Sequence, residues 1–219
     1  MNDAPRGFVE LFEDFATDNV TDLQETVSGA SLAPVSKHGG WYRSTGSTGE
    51  GDYTVLAGQL AYEVDEGHPL IMEVRLRCNL VANASLFVGF TDAVADTGPP
   101  IEDEDGTLGA NANDAFGFLL EGEQDTTWQA VGIDSTVHNT QEALTDGADA
   151  ANDVIQTLRL EANPNDSGTV KYFIDGKLVA TKTNWFDSSI VYCPVVTTDG
   201  RATAVLTDYD YIYVCAPRS

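Results

Sequence analysis

VIQTLRLEANPNDSGTVKYFIDGKLVATKT, from Val154 to Thr183, is the stretch that decides the fold. Two runs of alternating character, Val154 to Asn163 and Thr169 to Ile174, flank Pro164-Asn165-Asp166-Ser167-Gly168, and a third, Lys177 to Thr183, follows Asp175-Gly176. Leu158, Leu160 and Ala162 fall on one face of the first run, and Thr157, Arg159 and Glu161 on the other, which is the pattern of a strand with one wet side. Asp-Gly between two β-rich runs predicts a type I′ hairpin, because that turn needs positive φ at both central residues. The turn sets Ile174 opposite Lys177, Phe173 opposite Leu178 and Tyr172 opposite Val179. The result is a three-stranded antiparallel meander to which other strands add.

Working outward, the clearest of those strands is Leu70 to Cys78, with Leu70, Met72, Val74, Leu76 and Cys78 inward and Glu73, Arg75 and Arg77 outward. Arg75, Arg77, Arg159 and Lys171 form a cationic stripe if their strands are neighbours. Ser85 to Thr91 and Ala115 to Leu120 are short, continuous apolar runs, as expected of strands covered on both faces. Tyr53 to Val64, Trp128 to Ile133, Ser189 to Val196 and Ala202 to Val214 supply more strands, the last with Tyr209, Tyr211 and Tyr213 on one face. Phe8 to Phe15 fits a short helix or a first strand. Asp18 to Pro34 reads as loop with weak strand character, and Asp92 to Asp114 as a long acidic loop. Asp134 to Asp153 reads as a second long polar segment with one helical turn at Thr140 to Leu144. About ten to twelve strands at regular spacing, with almost no helix, describe an all-β, two-sheet antiparallel sandwich.

The chain has 219 residues, within the range of a single β-sandwich. Without a linker-like tract or a fixed repeat it divides into residues 1–15, an N-terminal arm and first element, and residues 16–219, one sandwich domain. Lys+Arg number 11 and Asp+Glu 35, a net charge of −24. A field of that sign repels phosphate backbones and anionic lipid, so neither nucleic acid nor a membrane is an expected partner. Cys78, Cys193 and Cys215 are an odd number on apolar runs and read as buried free thiols rather than a disulfide framework. The N-terminus has no basic region followed by an apolar one, so synthesis in the cytoplasm is expected. Asn19, Asn83 and Asn165 head glycosylation sequons, which without secretion are chance matches.

Several segments recur in a familiar order: Gly39-Gly40-Trp41-Tyr42-Arg43 with the Ser/Thr/Gly loop after it, Leu86 to Asp92, and Asp114-Ala115-Phe116-Gly117-Phe118. The Tyr172 to Gly176 hairpin, Pro194 and Asp208 to Val214 follow. Over roughly residues 35 to 215 the chain resembles the concanavalin A-like (lectin/glucanase) jelly roll, in the short form found among head decoration or cement proteins of tailed bacteriophages. The resemblance implies a homotrimer on the outer surface of a virion, made in the host cytoplasm, that binds the major capsid protein and stabilises the head. Phe8, Phe12 and Phe15 in the N-terminal segment, and Trp185 and Phe186 after the meander, are the expected capsid or subunit contacts.

The alternative on the same fold is a non-catalytic carbohydrate-binding module. Its stacking residue would be Trp185, the tryptophan expected to be exposed, with Asn184 and Asp187 as hydrogen-bonding neighbours. Trp41 and Trp128 lie in strands and are assigned to packing. Retaining glycosidases of this fold use two carboxylates about 5 to 5.5 Å apart, carried on Glu-x-Asp-x-x-Glu. The nearest stretch, Glu63-Val64-Asp65-Glu66-Gly67-His68, has His68 in place of the second glutamate, and Glu102-Asp103-Glu104-Asp105 lacks the spacing. His38, His68 and His138 lie in apparent loops with no nucleophile motif beside them, so no enzyme signature is present. Asp92, Asp96, Glu102, Asp103, Glu104, Asp105 and Asp114 supply oxygen ligands suited to calcium, without the spacing of a calcium loop; no cofactor is assigned.

Overall fold

A computed structural model describes residues 8–16, 20, 23–35, 40–46, 48, 51–59, 62–64, 69–93, 98–104, 107–134, 137–144, 148–163, 168–201 and 203–217. With strands numbered in chain order, the first sheet runs β16 (Lys177–Lys182), β15 (Thr169–Ile174), β14 (Gln156–Asn163), β7 (Leu70–Cys78), β18 (Leu206–Pro217), β4 (Trp41–Thr45) and β3 (Ser31–Val35). In it, β1 (Phe8–Glu13) also pairs with β18. The second runs β13 (Val137–Ala143), β12 (Gln129–Asp134), β11 (Ala115–Glu121), β8 (Ala84–Thr91), β17 (Val191–Gly200), β5 (Tyr53–Ala57) and β2 (Gln24–Ser28), and β6 (Tyr62–Glu63) also pairs with β17. A separate hairpin joins β9 (Ile101–Glu104) to β10 (Thr107–Ala110). Among the described residues the only helical element is one 3-10 turn, Val81–Asn83. The molecule is all-β, two large antiparallel sheets face to face.

The meander forms as the turn residues require. Asp175 and Gly176 have φ of 50° and 78°, and Phe173 faces Leu178 and Ile174 faces Lys177. One step further the register departs from expectation, since Tyr172 faces Ala180 and Val179 is the extra residue of a bulge. The bulge keeps Val179 buried while Leu178 is exposed. The turn at 164–167 lies outside the described residues. β7 alternates buried and half-buried along its whole length, as its sequence does, whereas β8 and β11 are buried at every position. Between the sheets Met72, Val74, Leu160, Tyr172 and Ile212 meet Val88, Phe116, Phe118, Trp128 and Val196 in one apolar cluster. Each large apolar side chain buried there contributes roughly 1.5–3 kcal/mol.

Four expectations need correction. The segment Asp92 to Asp114 contains the β9–β10 hairpin, seated through Ile101, which is fully buried. Thr140 to Leu144 does not form a helical turn; most of it belongs to β13, the edge strand beside β12, where a polar sequence is tolerated because one flank faces water. Asp18 to Pro34 includes β2 and β3, between which Gly29, at φ 59°, carries the chain from one sheet to the other. The three tyrosines do not share a face: a register shift between Tyr209 and Tyr211 turns Tyr209 into the core and leaves Tyr211 and Tyr213 outside. Phe8 to Phe15, open between helix and strand, forms β1. The stretch 1–7 lies outside the described residues.

The outer face of the first sheet carries the expected basic residues on the neighbouring strands β7, β14 and β15, but the arginines are laddered with carboxylates. Asp208 takes both Arg43 and Arg77, at 2.6 and 2.7 Å, Arg75 pairs with Asp210, and Arg159 holds Glu161 and Glu73 at 2.8 and 3.3 Å. Trp41 is half-buried in this layer, with the guanidinium carbons of Arg77 and Arg75 5.2 and 5.9 Å from its ring centre. It is not a core residue.

Candidate functional site

In the second sheet the face turned away from the first is the place to look, because it is overlaid by the β9–β10 hairpin. Its central strands carry small and apolar residues there, with Gly89 opposite Gly117 and Phe87 opposite Leu119. A Cβ on Gly117 would lie 2.4 Å from the Val88 carbonyl oxygen and 2.9 Å from Phe87 Cζ, and one on Gly89 would also meet Phe87 Cζ at 2.9 Å. The Phe87 ring therefore fills the space above the glycine pair. Val55, Leu119, Val131, Ile133 and Val195 extend this layer, and Ile101 and Leu108 of the hairpin pack onto it as a second apolar cluster.

At one end of the face the register sets Glu121 and Asp199 on either side of Ser85. Arg201 bridges them. Its Nη2 and Nε donate to Glu121 Oε2 and Oε1 at 2.9 and 3.3 Å, and its Nη1 donates to Asp199 Oδ2 at 3.1 Å. Glu121 and Asp199 are only 1% and 2% exposed. Asp199 Oδ1 is buried without a hydrogen-bond partner. Burial pushes the Asp199 carboxyl up to about 7; Arg201 opposes the shift, while Glu121, Glu102 and Asp52 add to it. Neither carboxylate is open to a substrate in this arrangement. Asp199 and Arg201 stand two residues apart, but nothing in the sequence ties them to Glu121, eighty residues before Arg201; only the strand register brings it to them.

At the other end, beside the hairpin, lies an open cleft of about 390 Å³ lined by Ala93, Leu108, Gly109, Asn111 and Asn113. Asn111 secures its wall: the backbone N–H donates to the Pro100 carbonyl at 3.0 Å, and Nδ2 donates to the Pro99 carbonyl and Glu102 Oε1 at 2.9 and 3.2 Å. Asn113 is exposed at the lip. The cleft thus offers an apolar wall and a hydrogen-bonding rim.

The residues singled out from the sequence are scattered. Trp185 is only 6% exposed. Tyr172 packs edge-on at 6.1 Å, the Gly132 backbone lies against its ring, and Lys182 Nζ stands 5.7 Å from its centre. Its expected exposure is corrected: the segment after β16 folds back over the sandwich. Phe186 is equally buried, 5.4 Å from Phe116. Asn184, at φ 59°, is exposed, and Asp187 Oδ1 accepts the Ser189 N–H and hydroxyl at 2.8 and 2.7 Å, which hold its carboxyl below the usual range. Phe15 is buried, stacked on Tyr42 at 5.2 Å, whereas Phe12 is 57% exposed. Trp128 is in the core with Nε1 donating to Gln156 Oε1 at 3.0 Å. Cys78, Cys193 and Cys215 are buried free thiols. The side chains of Phe8, Glu63, Asp103, Glu104 and His138 lie outside the described residues, as do Asp65, Glu66, Gly67, Asp96, Asp105, His38 and His68. Among the described residues no group of three or more His, Cys, Asp or Glu could hold a metal ion.

No protein-family model and no curated protein sequence matches the chain. Solved structures do. A Bacillus licheniformis beta-glucanase superposes with a TM-score of 0.62 at 16% identity over 95% of this chain and 98% of its own. The carbohydrate recognition domain of Emp47p gives 0.63 at 16% over 96% and 95%. A Shewanella oneidensis MR-1 protein of unknown function gives 0.60 at 13% over 97% and 87%. Glycosidases and lectin domains alike therefore share this architecture, and the chain folds as a concanavalin A-like lectin/glucanase jelly roll.

Proposed function

We propose that this chain is a non-catalytic carbohydrate-binding module. The observation that carries the reading is the cleft beside the β9–β10 hairpin, where Leu108 and Ala93 give an apolar wall, Asn113 an exposed amide, and Asn111, whose amide N–H groups are given to Pro99 and Glu102, a carbonyl acceptor. A few placed polar groups on an otherwise apolar concavity is the usual make-up of a small-ligand site. Sugar-recognising neighbours of the same fold support it. The closed apolar layer over β8 and β11, and the burial of Glu121 and Asp199 on one guanidinium, support binding over hydrolysis. The test is a glycan array followed by calorimetry. Asn113→Ala should weaken the best ligand at least tenfold without altering the unfolding midpoint. A blank array for the unaltered protein would remove the reading.

A second reading keeps the chain as a structural virion protein, a homotrimeric decoration protein on a phage capsid. It is favoured by the exposed Phe12 on β1, away from the cleft and in the segment expected to make contacts. Capsids lacking this protein should then acquire ordered copies at symmetry axes when it is added back, as counted by cryo-electron microscopy.

A further inference from the structure

Phe12 is the most exposed of the large apolar side chains among the described residues. It is also part of a cluster. On the outer face of the first sheet Phe12 faces Tyr213 across the β1–β18 pairing, and its ring centre is 6.0 Å from that of Tyr211 and 6.4 Å from that of Tyr213. Both tyrosines are tied down: the Tyr211 hydroxyl donates to Glu73 Oε1 at 2.6 Å and the Tyr213 hydroxyl to Glu10 Oε1 at 3.4 Å. An aromatic group held in place before contact loses little side-chain entropy on binding, and Tyr, Trp and Arg dominate the energetic centres of protein interfaces. Arg75, opposite Tyr211 in the register, leads from this cluster to Trp41 and Arg77.

We propose that Phe12, with Tyr211 and Tyr213, anchors a docking surface for a different protein, one that presents an apolar pocket edged by lysine or arginine. The charge around the cluster selects that occupant. Glu10 and Asp14 flank Phe12 on β1 and just after it, both exposed, while Arg75 and Arg159 are already held by Asp210, Glu73 and Glu161. The rim is thus acidic on a molecule of net charge −24. Like-charge repulsion opposes a second copy of this chain and an anionic lipid surface at this position. A flat sugar face is a poor match as well, because the tyrosine rings are tilted 38° and 64° to Phe12 and leave a protruding knob rather than a platform. This surface is separate from the cleft, and the inference stands whether or not the cleft takes sugar.

The probe is a synthetic peptide of alternating leucine and lysine, titrated into the isotope-labelled full-length chain and followed by NMR. The expected result is shifts centred on Phe12, Tyr211 and Tyr213, an affinity reduced at least tenfold in Phe12→Ala and in Glu10→Lys, and no change in Leu178→Ala, whose exposed side chain lies on β16. Glu10→Lys reverses the rim but also frees the Tyr213 hydroxyl, so Asp14→Lys, which reverses the rim and leaves both tyrosine hydrogen bonds in place, should show the same loss; unchanged far-ultraviolet and near-ultraviolet dichroism checks all three variants. Shifts spread evenly over the surface, or equal affinity in Phe12→Ala, would overturn the proposal. So would a concentration-dependent mass in light scattering that disappears in Phe12→Ala, because it would seat a second copy on the knob.

Discussion

Asp199 shows how a single residue in this fold responds to its surroundings. Its carboxyl is buried beside Glu121 with one guanidinium between them, and its folded-state value is pushed up to about 7, against about 3.9 for an aspartate in an unfolded chain. Between those two values the folded state holds a proton that the unfolded state has released. Stability from this group is therefore fully present below about pH 4, declines as the pH rises through that window at up to about 1.4 kcal/mol per unit, and is flat above it. Asp199→Asn imitates the protonated form and can still accept from Arg201. The variant should match the unaltered protein at pH 4 and exceed it at pH 8 by up to about 4 kcal/mol, as urea denaturation at the two pH values would read. Parallel pH profiles would mean that Asp199 is ionised throughout.

At the scale of elements, β8 and β11 hold the second sheet together. Their close approach depends on the glycines that face each other beneath Phe87, because a methyl group on Gly117 meets the Val88 carbonyl and the Gly89 backbone, which cannot swing aside, as well as the Phe87 ring. Gly117→Ala should cost about 1–3 kcal/mol or more, seen as a lower urea midpoint; an unchanged midpoint would show that the strands can part at little cost. Elements of this kind are legible before folding. The continuous apolar runs of β8 and β11, the alternation of β7 and the Asp175-Gly176 turn each announce a local conformation through period or turn chemistry. What was not legible depends on partners distant in the chain. β13 is a polar sequence made into a strand by the exposed edge of β12, and β9–β10 is an acidic segment seated by Ile101 on an apolar layer that exists only once the sheet has formed. The candidate site followed the same rule. Trp185 looked exposed because it follows a strand, yet Gly132, about fifty residues earlier, leaves the space its ring occupies. Asn111 and Asn113 drew no notice because an asparagine in a loop has no period. Phe12 was legible as an aromatic at the N-terminus, but its neighbours Tyr211 and Tyr213 needed the β1–β18 register.

For the whole molecule the dominant unbalanced quantity is charge, with 35 acidic residues against 11 basic ones. Arg43, Arg75, Arg77, Arg159 and Arg201 each already hold a carboxylate, so the surplus carboxylates repel one another across the surface. Salt acts on both sets in opposite senses. It weakens the partly exposed ladder on the first sheet, where each pair is worth about 0–1 kcal/mol, and it relieves repulsion summed over many more groups within a Debye length of about 10 Å at 0.1 M. The Arg201 pairs are too buried to be screened much. The sum should favour relief of repulsion: in urea, which adds no charge of its own, the unfolding midpoint should rise between 20 mM and 500 mM sodium chloride while the dependence on urea keeps its slope. A midpoint that falls instead would mean that the arginine ladder outweighs the net charge. Because that ladder adjoins the aromatic cluster around Phe12, such a result would also put ordered ion pairs, rather than a surplus of negative charge, at the centre of any contact made there.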